Sequence, residues 1–246
     1  MSVSERTAHR LFLEAPLSAG QSVVCSPEQA NYLLNVLRLG ANAEILVFNG
    51  RDGEWRARLV DVGKRRCALE CMKRIRAQTL GPDIHYLFAP LKHARLDYMV
   101  QKATEMGVAK LRPVLTRRTI VARVNGERMR ANAIEAAEQC GILRVPDVAA
   151  PERLEAALQS WDQTRALVFC DEAGEVASPL AALARLQGRP LAVLIGPEGG
   201  FDPSEQAMLR EQSFALPISL GPRIMRADTA AVAALAIVNA ALGDWR

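Results

Sequence analysis

The chain lacks most of the features that would assign a function quickly. No run approaches the roughly 18 consecutive apolar residues of a membrane span. The opening Met1-Ser2-Val3-Ser4-Glu5-Arg6 has no apolar core of a secretory signal, so a cytoplasmic protein is expected. Cysteines number five, an odd count, and are scattered at Cys25, Cys67, Cys71, Cys140 and Cys170. That pattern suits reduced buried thiols, not a disulfide framework or a zinc pair. The three histidines, His9, His85 and His93, complete no metal site, and no metal is expected. A Gly-x-x-x-x-Gly-Lys-Ser/Thr loop is missing, and so is Gly-x-Gly-x-x-Gly. Nucleotide hydrolysis and hydride transfer therefore lack their phosphate cradles. No Gly-x-Ser-x-Gly elbow is present either, which weighs against an α/β-hydrolase.

What is present is an ordinary globular composition with an uneven charge. The 246 residues can hold one large domain or two small ones. The net charge of +4 lies in the first 80 residues, which carry 12 Lys/Arg against 8 Asp/Glu; the remainder carries 19 of each. A basic N-terminal third suits contact with RNA, and equally a solvated face. This third reads as mostly β. Leu11-Phe12-Leu13 and Val23-Val24-Cys25 are short strands. Ser26-Pro27 opens a helix with Tyr32, Leu33, Val36 and Leu37 on one face, ended by Arg38 and Gly40. Trp55, Ala57 and Leu59 alternate with Arg56 and Arg58, which puts two arginines on one solvent face. The expected domains are 1–75, a linker at 76–83, and 84–246.

Beyond the linker, strands and helices alternate, which argues for a mainly parallel sheet covered on both faces. Leu96, Met99, Val100, Ala103 and Met106 form one helical stripe; Ile134, Ala137 and Cys140 form the inner side of another helix. The rest is organised around residues 191–231. The apolar run Leu191–Ile195 turns through Gly196-Pro197-Glu198-Gly199-Gly200. About two dozen residues later a second run turns through Leu220-Gly221-Pro222 into Arg223-Ile224-Met225-Arg226-Ala227-Asp228-Thr229. Gly-Pro turns at two adjacent strand ends allow close backbone approach to a flat ligand, at the sheet edge where open α/β folds bind.

These residues resemble the RsmE-type 16S ribosomal RNA uridine N3-methyltransferases of the SPOUT superfamily. The likeness runs through Tyr32-Leu33-Leu34-Asn35-Val36-Leu37-Arg38-Leu39, the segment Asp97–Val108, the segment Glu138–Pro146, Leu194–Gly200 and Leu220–Ala230, almost the whole chain in the family's order. The resemblance implies an α/β fold: a C-terminal α/β-knot domain, mainly a parallel sheet with a trefoil knot, preceded by a small PUA-like β-barrel. It also implies S-adenosyl-L-methionine as cofactor, 16S rRNA or the small ribosomal subunit as partner, and a homodimer. Three positions depart from the pattern. Asp228 stands where Glu is usual, Arg117-Arg118-Thr119 where Glu-Arg-Ser is common, and His93 where Gly is frequent.

On this resemblance the cofactor pocket takes Leu194, Ile195, Gly196, Glu198, Gly199, Leu220, Gly221, Ile224 and Met225, closed by Cys170, Asp171 and Glu172. Uracil N3 carries a proton and is a poor nucleophile until that proton leaves. A guanidinium beside the carbonyls would steady the developing charge but is no base. Arg226 is the first candidate and Arg223 the second; a salt bridge to Glu198 or Asp228 is the bland alternative for either. Glu198 is a candidate base or a cap of the following helix. Arg38, Arg56, Arg58, Arg112, Arg117, Arg118 and Arg123 are the expected RNA contacts. Two rivals stand beside this reading: an enzyme of the same superfamily acting on another nucleoside, and a catalytically silent RNA-binding factor.

Overall fold

A computed structural model describes residues 9–121, 123–171 and 178–245, with the backbone alone at position 93. The chain divides into two compact units, Met1–Leu80 with Ala137–Arg144, and Gly81–Ala136 with Val145–Arg246.

The first unit is a five-stranded sheet. Its strands are β1 (Arg10–Phe12), β2 (Ser22–Val24), β3 (Glu44–Phe48), β4 (Glu54–Val60) and β5 (Ala68–Arg76), in the order β1-β3-β4-β5-β2. Only β1 and β3 pair in parallel. Alternation sends Ile45, Val47, Ala57, Leu59, Leu69 and Cys71 into one core with Leu11, Leu13 and Leu33. Cys25 and Cys67 are buried there as free thiols, and burial together with the neighbouring Cys67 pushes the Cys25 thiol up to about 12. Opposite that core, Glu54 is fully buried between two arginines, with Arg10 Nε at 2.6 Å and Arg76 Nε at 3.0 Å. Arg10 also donates to the carbonyls of Ala137, Glu138 and Ile142, and Arg76 to that of Gly141. Two cations thus meet carbonyls at and just beyond the end of the helix that closes at Gln139.

Helix α1 (Pro27–Asn31) starts as the sequence predicts, with a capping box in which Ser26 and Gln29 bond reciprocally. Its continuation does not. Residues Tyr32–Val36 form a π-helical turn, closed by Leu37 N–H on Tyr32 C=O. The wider turn breaks the expected single face: Leu33 is fully buried while Val36 is 61% exposed. Arg38, not Gly40, takes the left-handed conformation that ends the segment, at φ +55°.

The second unit is a parallel sheet in the order β12-β10-β11-β6-β7-β8, with β9 also on β7. The strands are β6 (Ile84–Phe88), β7 (Lys110–Leu115), β8 (Asp147–Val148), β9 (Glu152–Arg153), β10 (Ala166–Cys170), β11 (Leu191–Ile195) and β12 (Ala215–Ile218). The helices are α2 (His93–Glu105), α3 (Gly126–Gln139, whose end counts with the first unit), α4 (Leu154–Gln159), α5 (Pro179–Leu183), α6 (Pro203–Arg210) and α7 (Ala227–Leu242). Tyr86, Phe88, Val168, Val193 and Ile195 point to one face, under α2 and α7. Leu87, Leu167, Phe169, Ala192 and Leu194 point to the other, with α4 and α6. That two-sided cover explains why β11 is apolar at every position. Two expectations fail here. Cys140 is exposed, and the buried positions of α3 are Met129, Ala133, Ala136 and Ala137. The two Gly-Pro turns do not follow adjacent strands, because β10 lies between β11 and β12. No helix among the described residues is long and apolar enough to cross a membrane.

Candidate active site

The C-terminal ends of β10, β11 and β12 open onto one cavity of about 520 Å³ within the second unit. Its walls are built from three loops. Cys170 and Asp171 come from the end of β10, Ile195 to Glu198 from β11, and Ser219 to Arg226 from the segment after β12. Arg95 of α2, Gly200, Phe201, Gln206 of α6, and Ala227 and Ala230 of α7 complete the lining.

The glycines are there for stated reasons. A Cβ on Gly196 would lie 2.9 Å from the Phe201 ring, which is itself buried. Gly221 sits at φ +101°, a conformation that side chains strain against. Asp202, with Glu205 three residues on, caps α6 in a second capping box. The capping reading of Glu198 is thereby overturned. Glu198 instead pairs with Arg95 across the cavity wall.

The acids at this site are engaged. Asp171 is almost fully buried and takes Arg210 Nε at 2.9 Å and Nη2 at 2.5 Å on one oxygen. Asp228 Oδ1 accepts the Thr229 N–H at 2.9 Å. Arg223 and Arg226 are exposed on the cavity rim, with no acid in reach among the described residues. The salt-bridge alternative for either arginine is therefore not realised. Arg226 is also the N-cap residue of α7, and its own side chain makes no capping bond. The start of α7, with Asp228 in its first turn, thus stands at the cavity beside two unpaired guanidinium groups. Tyr86 is buried below, its hydroxyl on Met99 Sδ at 3.0 Å. Burial holds its proton well above the ordinary range, with Cys170 and Asp228 adding to the effect, so it is no base.

Of the expected cofactor residues, Ile195, Gly196, Glu198, Leu220, Gly221, Ile224, Met225, Cys170 and Asp171 line the cavity. Leu194 does not, since its side chain belongs to the opposite core. Gly199 lies in the turn but off the wall, and Glu172 lies outside the described residues. Arg95, Phe201 and Gln206 were not expected. The signal for Arg95 was its place in the first turn of a helix following a central strand, where α/β folds gather ligand contacts.

The expected RNA contacts fare unevenly. Arg58 pairs with Glu70 at 2.7 Å, and Arg56 lies 3.8 Å from Glu44. Arg112 is held by Glu152 at 2.9 Å and lies 5.2 Å from the Trp161 ring centre. Arg38 and Arg123 are exposed. Arg117 and Arg118 are exposed; the Arg118 side chain donates into the loop after β11, and the Arg117 backbone N–H donates to Glu205 of α6. In the first unit, Lys64, Arg65, Arg66, Lys73 and Arg74 are exposed cations without an acid in reach among the described residues. Lys73 and Arg74 lie on β5, where only strand register reveals which residues face one another. Among the described residues no group of three or more His, Cys, Asp or Glu stands together as a metal site.

Comparison with known proteins agrees with this geometry. Residues 79–239 match the RNA methyltransferase domain family, and residues 26–70 match the RNA methyltransferase PUA domain. The chain is 31% identical over 243 residues to ribosomal RNA small subunit methyltransferase E of Synechocystis, covering 96% of this chain and 78% of the relative. It is 29% identical to the protein of that name from Rickettsia conorii, covering 94% and 95%. Among solved structures, a Legionella pneumophila methyltransferase with bound SAM superposes with a TM-score of 0.85 at 29% identity, covering 96% of this chain and 99% of the other. Ribosomal RNA small subunit methyltransferase E of Neisseria gonorrhoeae, bound to S-adenosyl methionine, gives 0.85 at 28%, covering 97% and 100%. A PUA domain followed by an RNA methyltransferase domain, with a cavity at the carboxyl ends of its parallel strands, places this chain in the RsmE-type RNA methyltransferase family.

Proposed function

We propose that the protein methylates N3 of a specific uridine in 16S rRNA of the small ribosomal subunit, using S-adenosyl-L-methionine. The coarser activity, cofactor-dependent methylation of small-subunit rRNA, is that of the relatives it matches along nearly its full length. The observation that carries the finer reading is the pair of unpaired arginines at the rim of the cavity.

The residues present fit the cofactor. The cavity falls in the size range of small-molecule sites. It is lined by Ile195, Leu220, Met225 and Phe201 alongside exposed turn backbone, and a Cβ at Gly196 would collide with one of its walls. Ile195, Gly196, Leu220, Gly221 and Met225 would hold it. When bound, it supplies an electrophilic methyl group on a sulfonium centre.

The chain's own residues then act on the base. A uridine must leave the stack to enter the cavity. Arg226 and Arg223 set positive charge where the uracil carbonyls gather negative charge as the N3 proton departs. An arginine stays protonated, so the proton goes elsewhere. Glu198 keeps Oε2 for it while Oε1 pairs with Arg95. In this reading the first unit docks RNA and the second carries the chemistry. The active form is a cytoplasmic homodimer. Ile224, 90% exposed on the rim, favours a site completed by another surface. A trefoil-knotted C-terminal domain belongs to the same proposal, supported by β12 returning beside β10 and not beside β11.

The test is methyl transfer from labelled S-adenosyl-L-methionine to small subunits from a strain lacking the protein. The expected product is 3-methyluridine at one site. Transfer to another nucleoside would overturn the uridine reading, and absent cofactor binding would leave the RNA-binding factor.

A further inference from the structure

Arg117 and Arg118 follow β7, and the sequence alone assigns both to RNA. Their bonds point inward. Arg118 Nη1 donates to the Gly199 carbonyl at 2.8 Å, in the turn that bounds the cavity. The Arg117 backbone N–H donates to Glu205 Oε1 at 2.7 Å, and its guanidinium lies 3.6 Å from Asp202. Glu205 gives its other oxygen, Oε2, to the Asp202 N–H at 3.0 Å. A helix-capping glutamate commonly serves one backbone N–H. This one serves two, from separate loops, while only 1% exposed. The loops follow β7 and β11, which β6 separates, so the sheet ladder does not join them. Thr116 and Thr119 close the donor loop on itself, through Thr116 N–H on Thr119 Oγ1 and Thr119 N–H on Thr116 C=O.

We propose that Arg118 and Glu205 are positioning residues for cofactor binding, holding the Gly196–Gly200 turn in the shape that bounds the cavity. The inference rests on the cofactor assignment proposed above. A glycine-rich turn gains affinity when it is held before the ligand arrives, because the ordering cost is then already met. The Arg118 bond supplies the hold at Gly199. Glu205 supplies it two residues past the turn, where its buried carboxylate ties the Asp202 N–H to the Arg117 N–H.

Wild-type protein is first titrated with S-adenosyl-L-methionine in the absence of RNA; no binding there counts against the cofactor assignment. Arg118→Ala, Arg118→Lys and Glu205→Gln are then compared. Arg118→Ala is expected to weaken cofactor binding about tenfold with melting temperature unchanged, raising KM for cofactor but not for RNA, and leaving kcat at saturation near wild type. Arg118→Lys, which can still reach one carbonyl, should recover part of the loss. Glu205→Gln, which offers one acceptor for two donors, should weaken binding at least as much. Hydrogen exchange in 196–202 of the free protein should speed in Arg118→Ala and Glu205→Gln, a readout independent of whether cofactor binds. Unchanged exchange and cofactor affinity within twofold, with KM for RNA raised, would make Arg118 a phosphate contact. A lowered melting temperature for Glu205→Gln with unchanged affinity would reduce Glu205 to a helix cap.

Discussion

In the first unit the buried Arg10 meets Glu54 at 2.6 Å. In the second, Arg223 and Arg226 stand exposed at the mouth of the cavity, with no carboxylate in reach among the described residues. The same side chain does different work in the two places. A buried guanidinium has lost its water and must recover the loss from a partner. An exposed one keeps its water and its full charge for an incoming anion. Burial pulls the Arg10 guanidinium below its ordinary pKa while Glu54 holds it up, which is the cost and the compensation in one residue. What separates Arg10 from Arg223 and Arg226 is the acid beside it, not the arginine.

The comparison can be broken at its buried end first. Glu54→Ala would take the carboxylate from the buried Arg10, leaving it only carbonyl acceptors, and from the partly exposed Arg76, and is expected to cost about 3 kcal/mol, measured by urea denaturation. A loss below about 1 kcal/mol would show that the pair is not needed. Arg226→Ala is expected to do the reverse. It should cut kcat roughly 100- to 1,000-fold while the melting temperature stays put. Equal loss of fold and activity would make it one more structural arginine.

His85 sharpens the contrast with a group kept uncharged. Burial first, then Arg165, Arg112 and Lys110, outweigh Asp83 and lower its pKa from the ordinary 6.5 to about 4. Between those values the unfolded chain takes up a proton that the folded one refuses. Stability should therefore fall as pH drops from 6.5 toward 4, and level off below. His85→Gln should flatten that limb in denaturation curves at a series of pH values. The smallest effects belong to the surface of the first unit. Arg58→Ala should change stability by no more than about 1 kcal/mol and barely alter RNA binding. Lys73→Ala and Arg74→Ala should each reduce the salt dependence of RNA binding by about one contact, read from affinity against salt concentration.

Much of this was legible from residue types. β11 reads as buried on both faces because every residue is apolar, and Ser26-Pro27 announces a helix start. The two Gly-Pro turns mark the cavity before any coordinate does. What could not be read depends on register or topology. That Arg58 faces Glu70 follows from which residues β4 and β5 pair, which the sequence does not state. That β10 runs between β11 and β12 is a matter of chain path. Val36 turns outward because a π turn shifts the phase of the helix, and no single residue signals it. Arg95 reached the site by a fold rule that needed the strand order first.

Helix α7 meets the core through Ala230, Ala231 and Ala234, all buried, and carries Arg226 at its start. Small side chains let a helix lie close, so added bulk at Ala234 would lever the whole rod outward. Its far end would move with it, and geometry lost by an ångström is rate lost. Selection on catalysis thus extends to a face of the helix that no substrate touches. A drift from alanine to valine there would be felt in stability and in rate together.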